Sequence, residues 1–363
     1  MPKCIGCGAT LQDLKEDMIG YVPTKMMNQK NAICMRCFKL RNYNENSKIV
    51  SMDYLRIISN ISKDPNALII HVVDLFDFSS TFISSIKRQT GQADCILVGN
   101  KFDLLPKSVK KYKVINWMRH MCNLEDFKAL EVLALSGKNG DEITELVEAI
   151  VRHYKKRRVY FVGCSNVGKS TILNTIIKKY TSETKDIITT SKIPGTTLDM
   201  IEIRLDGISF IDTPGIFKEN QIIHQISPES YDYIMPKKEI KTINFQLNSD
   251  QTIFISGLAW VDYVSGDKTT MVFYFSDRLN IHRTKTKTSI DFFNRQVTNL
   301  LMPPTKDDFE GIKYYHKDIK IENDGKKYDI VISGLGFFSV CGDLQLRVTT
   351  IKGVDIYIRE AII

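Results

Sequence analysis

The residues whose types and spacing most clearly specify chemistry are GCSNVGKS at 163–170. A strand-like run, RVYFVG at 158–163, leads into them and a helix-like run, ILNTIIKKY at 172–180, follows. That is the setting in which a G-x-x-x-x-G-K-S loop wraps phosphates. Gly163 and Gly168 let the backbone fold so that successive N–H groups, those of Ser165, Asn166 and Val167 among them, point inward. The helix that opens at Ser170 and Thr171 adds its partial positive charge. Lys169 has the reach for the β- and γ-phosphates of a nucleotide, and the Ser170 hydroxyl is of the kind that coordinates Mg²⁺.

Three further stretches fit the same chemistry. DTPG at 212–215 ends the strand-like GISFID, which places Asp212 for the Mg²⁺ shell and the Gly215 N–H for the γ-phosphate. PGTT at 194–197 lies between loop and DTPG, where a switch segment carrying a Mg²⁺-binding hydroxyl is expected. NKFD at 100–103 supplies a base reader. Asn100 and Lys101 open it, and the Asp103 carboxylate can accept from both the N1–H and the exocyclic amine of guanine, a pattern adenine does not offer. SGK at 136–138 (Ser136, Gly137, Lys138) follows another strand-like run and can set a backbone N–H on the guanine O6. Together these imply a site for GTP or GDP with Mg²⁺.

The elements that must hold these residues read as α/β from about 50 to 218. ALIIHVVD, DCILVGN, ALEVLALS and RVYFVG alternate with the amphipathic stretches SVKKYKVINWMRHM and EITELVEAIVRHY, the pattern of a parallel sheet with crossover helices. Beyond 219 strand-like segments take over, and two echo each other, ISGLAWVDYVSG at 255–266 and ISGLGFFSVCG at 332–342. Residues 1 to about 45 have little apolar periodicity and cannot bury a core unaided. The chain has 363 residues, 43% hydrophobic and 25% charged, enough for two or three domains. Its formal net charge of +8 favours anionic partners. No signal peptide is visible in MPKCIGCG and no apolar run reaches the ~18 residues of a membrane span, so a reducing, cytoplasmic location and no membrane partner are expected.

The base reader precedes the phosphate loop, the reverse of the ordinary order. With the CxxC pairs at the start, VVDLFDFSSTFI at 72–83, PGTT, DTPGI and ISGLGFFSV, that order resembles the YqeH-type circularly permuted GTPases, a ribosome biogenesis family, over nearly the whole chain. SGK stands where Ser-Ala-Lys is more usual. The expected fold is therefore α/β, with a circularly permuted P-loop GTPase domain at 46–218, an N-terminal zinc-binding module at 1–45, and a C-terminal β-rich α+β domain at 219–363. The resemblance implies that Thr197 is the Mg²⁺-binding switch threonine and that Asn166 helps bind K⁺ in place of an arginine finger. A turn-stabilising side chain is the other reading of Asn166. The residue after DTPG is Ile216, where Ras-like proteins carry a water-orienting Gln, so turnover without K⁺ or a partner should be slow.

The permutation has a physical reading. A sheet depends on which strands are neighbours and not on where the chain is cut. KKRR at 155–158 is the join, and the cut falls just after DTPG, so the C-terminal domain is attached directly to a switch that responds to the γ-phosphate.

Of the eight cysteines, Cys4/Cys7 and Cys34/Cys37 have the knuckle spacing of tetrahedral Zn²⁺, with a gap between the pairs longer than in the simplest pattern. A redox role is disfavoured, because neither pair opens a helix after a strand. Cys95, Cys122, Cys164 and Cys341 read as core filler or bystanders. Arg36, Lys39 and Arg41 either meet an anionic surface or are solvated loop charges. HRTKTKT at 282–288 reads as a strand with Arg283, Lys285 and Lys287 on one face, for phosphate contacts or as a charge-protected edge. Phe273, Tyr274 and Phe275 read as core.

The resulting expectation is a GTP-hydrolysing switch in 30S assembly, partnered by ribosomal RNA or a 30S precursor, with no small-molecule substrate beyond GTP and water. The alternatives are a nucleotide-gated module acting on DNA or another complex, and an RNA-modification GTPase with a separate catalytic subunit.

Overall fold

The structure is a computed structural model that describes residues 2, 10–14, 21–27, 32, 57–91, 93–183, 189–192 and 200–363. The chain forms two compact units, Met1–Tyr54 and Leu55–Ile363. In the first, Leu11, Val22 and Ala32 are buried together with Met27 against them, and Gln12 bridges Tyr21.

The second unit opens with a seven-stranded sheet in the order β3-β2-β1-β4-β7-β6-β5. Its parallel core comprises β1 (Ala67–Asp74), β2 (Asp94–Asn100), β3 (Glu131–Ala134), β4 (Arg158–Val162) and β7 (Ile208–Asp212). β5 (Thr189–Lys192) and β6 (Ile201–Leu205) add an antiparallel edge. All eight residues of β1 are buried, as a strand covered on both faces requires. The helix α1 (Lys111–Leu124) buries Val114, Trp117, Met118 and Cys122, one stripe at helical spacing. In α2 (Gly140–His153) the Asn139 side chain caps the Asp141 N–H, with Asp141 and Glu142 in the first turn and Arg152 and His153 in the last, each sign matching the helix dipole. α3 (Lys169–Glu183) follows the phosphate loop.

After a short helix α4 (Pro228–Ile234), two five-stranded antiparallel sheets share one core. With β8 (Ile243–Leu247), β13 (Tyr314–Ile321), β16 (Leu344–Ile351) and β17 (Ile356–Glu360), one has the order β12-β9-β10-β16-β13 and the other β17-β14-β15-β11-β8. The echoed sequences are the tips of equivalent hairpins, one per sheet. Ile255 pairs Ala259 between β9 (Gln251–Ile255) and β10 (Ala259–Gly266), and Ile332 pairs Gly336 between β14 (Tyr328–Ile332) and β15 (Gly336–Val340). Phe273, Tyr274 and Phe275 of β11 (Thr269–Phe275) are buried.

One expectation is corrected. HRTKTKT is not a continuous strand: β12 (Ile281–Lys285) ends at Lys285 and α5 (Thr286–Gln296) begins at Thr286. Lys287 and Thr288 are therefore helical, and the alternating basic face is lost. Packing overrides the alternation, because α5 must set Phe293 and Phe292 against Phe254 and Trp260 on the outer side of the sheet. Cys95, Cys122 and Cys164 are buried, whereas Cys341 is exposed.

Candidate guanine-nucleotide site

The motifs stand at the carboxyl ends of neighbouring parallel strands, with the phosphate loop leaving β4 beside β1, where the strand order reverses direction. The loop is tightly held. A Cβ on Gly163 would lie 2.2 Å from the Val72 carbonyl oxygen, and one on Gly168, whose φ is +95°, would lie 2.2 Å from Asn100 Nδ2. Asn166 has φ +62°, a left-handed conformation that Asn tolerates, and its side chain is exposed. Lys169 is buried, donating from Nζ to the carbonyls of Gly163 (2.8 Å) and Cys164 (3.0 Å). Ser170 Oγ donates to Asp212 Oδ2 at 3.2 Å, so the hydroxyl and carboxylate expected to share a Mg²⁺ ion are neighbours. Burial pushes the Cys164 thiol up, which keeps it neutral and inert beside the loop.

The base-reading side is joined to this loop by Asn100. Its Nδ2 donates to the Val167 carbonyl (2.7 Å) and its Oδ1 accepts from the Gly137 N–H (2.7 Å). Thr175 of α3 also donates to the Gly137 carbonyl at 2.6 Å. Lys101, at φ +66°, donates to Asp74 Oδ2 at 2.6 Å. An open cavity of about 310 Å³ is lined by Phe102, Asp103, Ser136, Lys138, Asn139 and Glu142. Glu142 is a member that the motifs did not indicate: its Oε2 accepts the Ser136 N–H at 2.5 Å, and Lys111 lies 3.6 Å from its other oxygen. Two carboxylates and two neighbouring loops thus frame a space open to a flat polar ring.

The residue that follows DTPG is bonded to the phosphate loop through backbone. Ile216 N donates to the Gly163 carbonyl (3.0 Å) and Ser165 N to the Ile216 carbonyl (2.9 Å). A Cβ on Gly215 would meet the Ser165 Cα at 2.9 Å. The Ile216 side chain is buried and offers no polar atom.

Asp77, also missed by the motifs, is buried in VVDLFDFSSTFI. Its Oδ1 accepts from Ser80 Oγ (2.6 Å), and its Oδ2 from Gln221 Nε2 (3.0 Å) and the Gly334 N–H (3.0 Å). Burial is the main cause that raises its pKa to about 7. Close by, Arg359 pairs with the buried Asp329 at 3.3 Å and lies over the rings of Trp117 and Phe337.

Thr197 and the rest of PGTT, the four paired cysteines Cys4, Cys7, Cys34 and Cys37, and Arg36, Lys39 and Arg41 lie outside the described residues. Among the described residues no group of three or more His, Cys, Asp or Glu side chains could hold a metal ion, and no helix is long and apolar enough to cross a membrane.

Comparison with known proteins agrees with this geometry. Residues 158–252 match the family described as 50S ribosome-binding GTPase, and residues 268–362 match the YqeH-like C-terminal family. The chain is 41% identical to YqeH of Bacillus subtilis (strain 168) over 99% of both chains. It is 28% identical to NO-associated protein 1, chloroplastic/mitochondrial, of Arabidopsis thaliana, over 93% of this chain and 69% of the relative. Similarity to the GTPase Der of Karelsulcia muelleri (strain GWSS) is 30% over 44% of this chain and 34% of the relative. A phosphate loop that follows its base reader in the chain, joined to it through Asn100, and a full-length relative of this closeness place the protein in the YqeH family of circularly permuted GTPases.

Proposed function

We propose that this GTPase is a switch in assembly of the small ribosomal subunit, binding ribosomal RNA or a 30S precursor through its β-rich C-terminal region. The observation that carries the reading is the connection after DTPG. Six residues beyond Gly215, Gln221 meets Asp77, and Ile222 N donates to the Ser333 carbonyl of the C-terminal region at 2.9 Å. A nucleotide-sensing segment therefore runs straight into the part that would hold the partner. The net charge of +8 and the match to a family of 50S ribosome-binding GTPases support a ribosomal, RNA-containing partner, with the choice of subunit left to the experiment below. The domain limits 1–45, 46–218 and 219–363 and a cytoplasmic location belong to the same reading.

In this reading the backbone of residues 163–168 and Lys169 hold the β- and γ-phosphates. Ser170, Thr197 and Asp212 hold Mg²⁺, which supplies charge neutralisation on those phosphates. The Ser170–Asp212 contact and a loop too tight for side chains at Gly163 and Gly168 fit that group. Gly215 contributes its N–H to the γ-phosphate. Asn100, Lys101 and Asp103 bind the guanine. The Gly137 N–H donates to Asn100, which leaves that of Lys138 to serve the O6. Asn166 helps bind K⁺. An arginine finger contributes roughly 10³–10⁵ in rate, so a site with Ile216 in place of a water-orienting Gln turns over slowly without K⁺ or a partner and acts as a timer. The spacing of Cys4, Cys7, Cys34 and Cys37 supports a structural Zn²⁺ that shapes the N-terminal module for the same partner.

The test is sedimentation of the intact protein with purified 30S and 50S particles in the presence of GDP or a non-hydrolysable GTP analogue. Analogue-dependent association with 30S is expected. Association with 50S alone, or with neither while DNA is bound tightly, overturns the small-subunit reading in favour of a different nucleotide-gated module.

A further inference from the structure

The motif VVDLFDFSSTFI carries two buried acids that face different tasks. Asp74 serves the base reader through Lys101. Asp77 serves nothing in the nucleotide site. Its carboxylate gathers donors from three segments distant in sequence: Ser80 beside it, Gln221 after DTPG, and the Gly334 N–H at the tip of the β14–β15 hairpin. Around it, Ser333 Oγ donates to Ser80 Oγ at 2.7 Å, and Ile222 N donates to the Ser333 carbonyl at 2.9 Å. Gly334 has φ +77°, and a Cβ there would stand 3.3 Å from both Gln221 Cβ and Ile222 N, so the hairpin tip packs closely on the link. Gln221 is itself buried, and with Nε2 turned to Asp77 its Oε1 has no hydrogen-bond partner among the described residues. The carboxylate fixes which way that amide faces, although the arrangement leaves a buried acceptor unsatisfied, which carries a cost.

We propose that Asp77 is a positioning residue that fastens the link after DTPG and the hairpin tip of the C-terminal region to one point of the GTPase core, so that a nucleotide-driven shift of DTPG reaches the C-terminal region through this carboxylate. The proposal rests on the reading of the protein as a nucleotide switch and requires no particular partner. Two backbone hydrogen bonds hold Ile216 to the phosphate loop, and five residues later Gln221 is held by Asp77. Displacement at one end of so short a connection must either be absorbed within it or be passed to Asp77 and Gly334. The second course is available because Ile222 is bonded to the hairpin directly.

Hydrogen exchange on the full chain tests this, comparing GDP with a non-hydrolysable GTP analogue in wild type, Asp77→Ala, Asp77→Asn and Gln221→Leu. In wild type the nucleotide should change exchange both in a peptide covering 212–226 and in one covering 330–340, by about five-fold or more. Asp77→Ala and Gln221→Leu should keep the difference at 212–216 and lose it at 330–340. Asp77→Asn, which retains an oxygen for the Gly334 N–H, should restore it. A purely structural role would instead speed exchange at 330–340 equally in both nucleotide states and leave their ratio intact, and that result overturns the proposal. So does a wild-type difference confined to 212–226. If Asp77→Ala does not fold, Gln221→Leu decides alone, because it removes only one donor. No nucleotide effect even at 212–216 defeats the switch reading and this proposal together. Failure to sediment with 30S particles beside intact exchange differences removes the ribosomal reading and leaves Asp77 its role.

Discussion

Asn100 Nδ2 donates to the Val167 carbonyl at 2.7 Å, so the first residue of the base reader is bonded to the phosphate loop 67 positions later in the chain. With its Oδ1 on the Gly137 N–H, one buried amide ties three loops together. Replacing it by Ala leaves a donor and an acceptor unpaired, at about 1–3 kcal/mol each. Asn100→Ala should weaken GDP and GTP binding about 10- to 100-fold, read by titration with a fluorescent guanine nucleotide, with the circular dichroism spectrum unchanged.

Asp103 is exposed and lines the cavity. Asp103→Asn keeps one acceptor oxygen but turns an amide N–H against a guanine donor, so it should lose one of the two guanine-directed hydrogen bonds and lower GTP affinity by about two orders of magnitude, while the melting temperature stays within about a degree or two. Wild-type affinity in that variant would remove NKFD from the site.

Gly163 packs against backbone, which cannot move aside as a side chain can. Gly163→Ala should cost about 1–3 kcal/mol of stability as well as nucleotide binding. Gly311, where an added methyl group would meet nothing within 4 Å, provides the control. A calorimetric scan in which Gly163→Ala melts with Gly311→Ala would contradict the packing described.

His71 defines a pH prediction. Its Nε2 accepts the Ile83 N–H (3.1 Å), so the ring proton sits on Nδ1, facing the Val162 carbonyl at 3.4 Å. Burial holds its pKa down to about 3, against an ordinary 6.5. The unfolded chain therefore takes up a proton below about pH 6.5 that the folded protein refuses, and stability falls as pH is lowered, by ~1.4 kcal/mol per pH unit. His224, held to about 4 by burial, acts in the same sense. Asp77 acts oppositely, gaining stability as pH falls from about 7 towards the ordinary carboxylate range. The measurement that isolates His71 is the difference in unfolding free energy between wild type and His71→Gln, which should shrink steadily from pH 6 to pH 4. A difference independent of pH would refute the assignment.

For the N-terminal module, metal analysis of the intact chain should find about one zinc per protein, and Cys4→Ser combined with Cys37→Ser should release it. Less than half an equivalent in the unmodified protein rules the zinc out.

What the sequence disclosed and what it hid divide along physical lines. Lys169, Ser170, Asp212 and Asp103 were legible because each stands in a short contiguous pattern at a strand end, where local turn geometry dictates residue type. Glu142 was not, because a first-turn Glu serves equally well as helix-dipole partner and only the fold brings it to the Ser136 N–H. Asp77 and Gln221 lie 144 positions apart, and no local pattern announces their meeting. HRTKTKT misled for another reason. Threonine and lysine alternate as readily through the first turn of a helix as along a strand, and the deciding residues, Phe292 and Phe293, follow the repeat rather than lie within it.

The turn that joins α2 to β4 has a practical use. Lys155 and Lys156 are exposed and adopt φ of +39° and +60°, conformations that glycine would occupy with less strain. The turn lies at the opposite end of β4 from the phosphate loop, roughly 17 Å away at ~3.3 Å per residue. It is therefore the natural place to open this chain for a fluorescent label, an inserted reporter or a cleavable tag, and glycines at 155 and 156 should make such a graft more tolerable still.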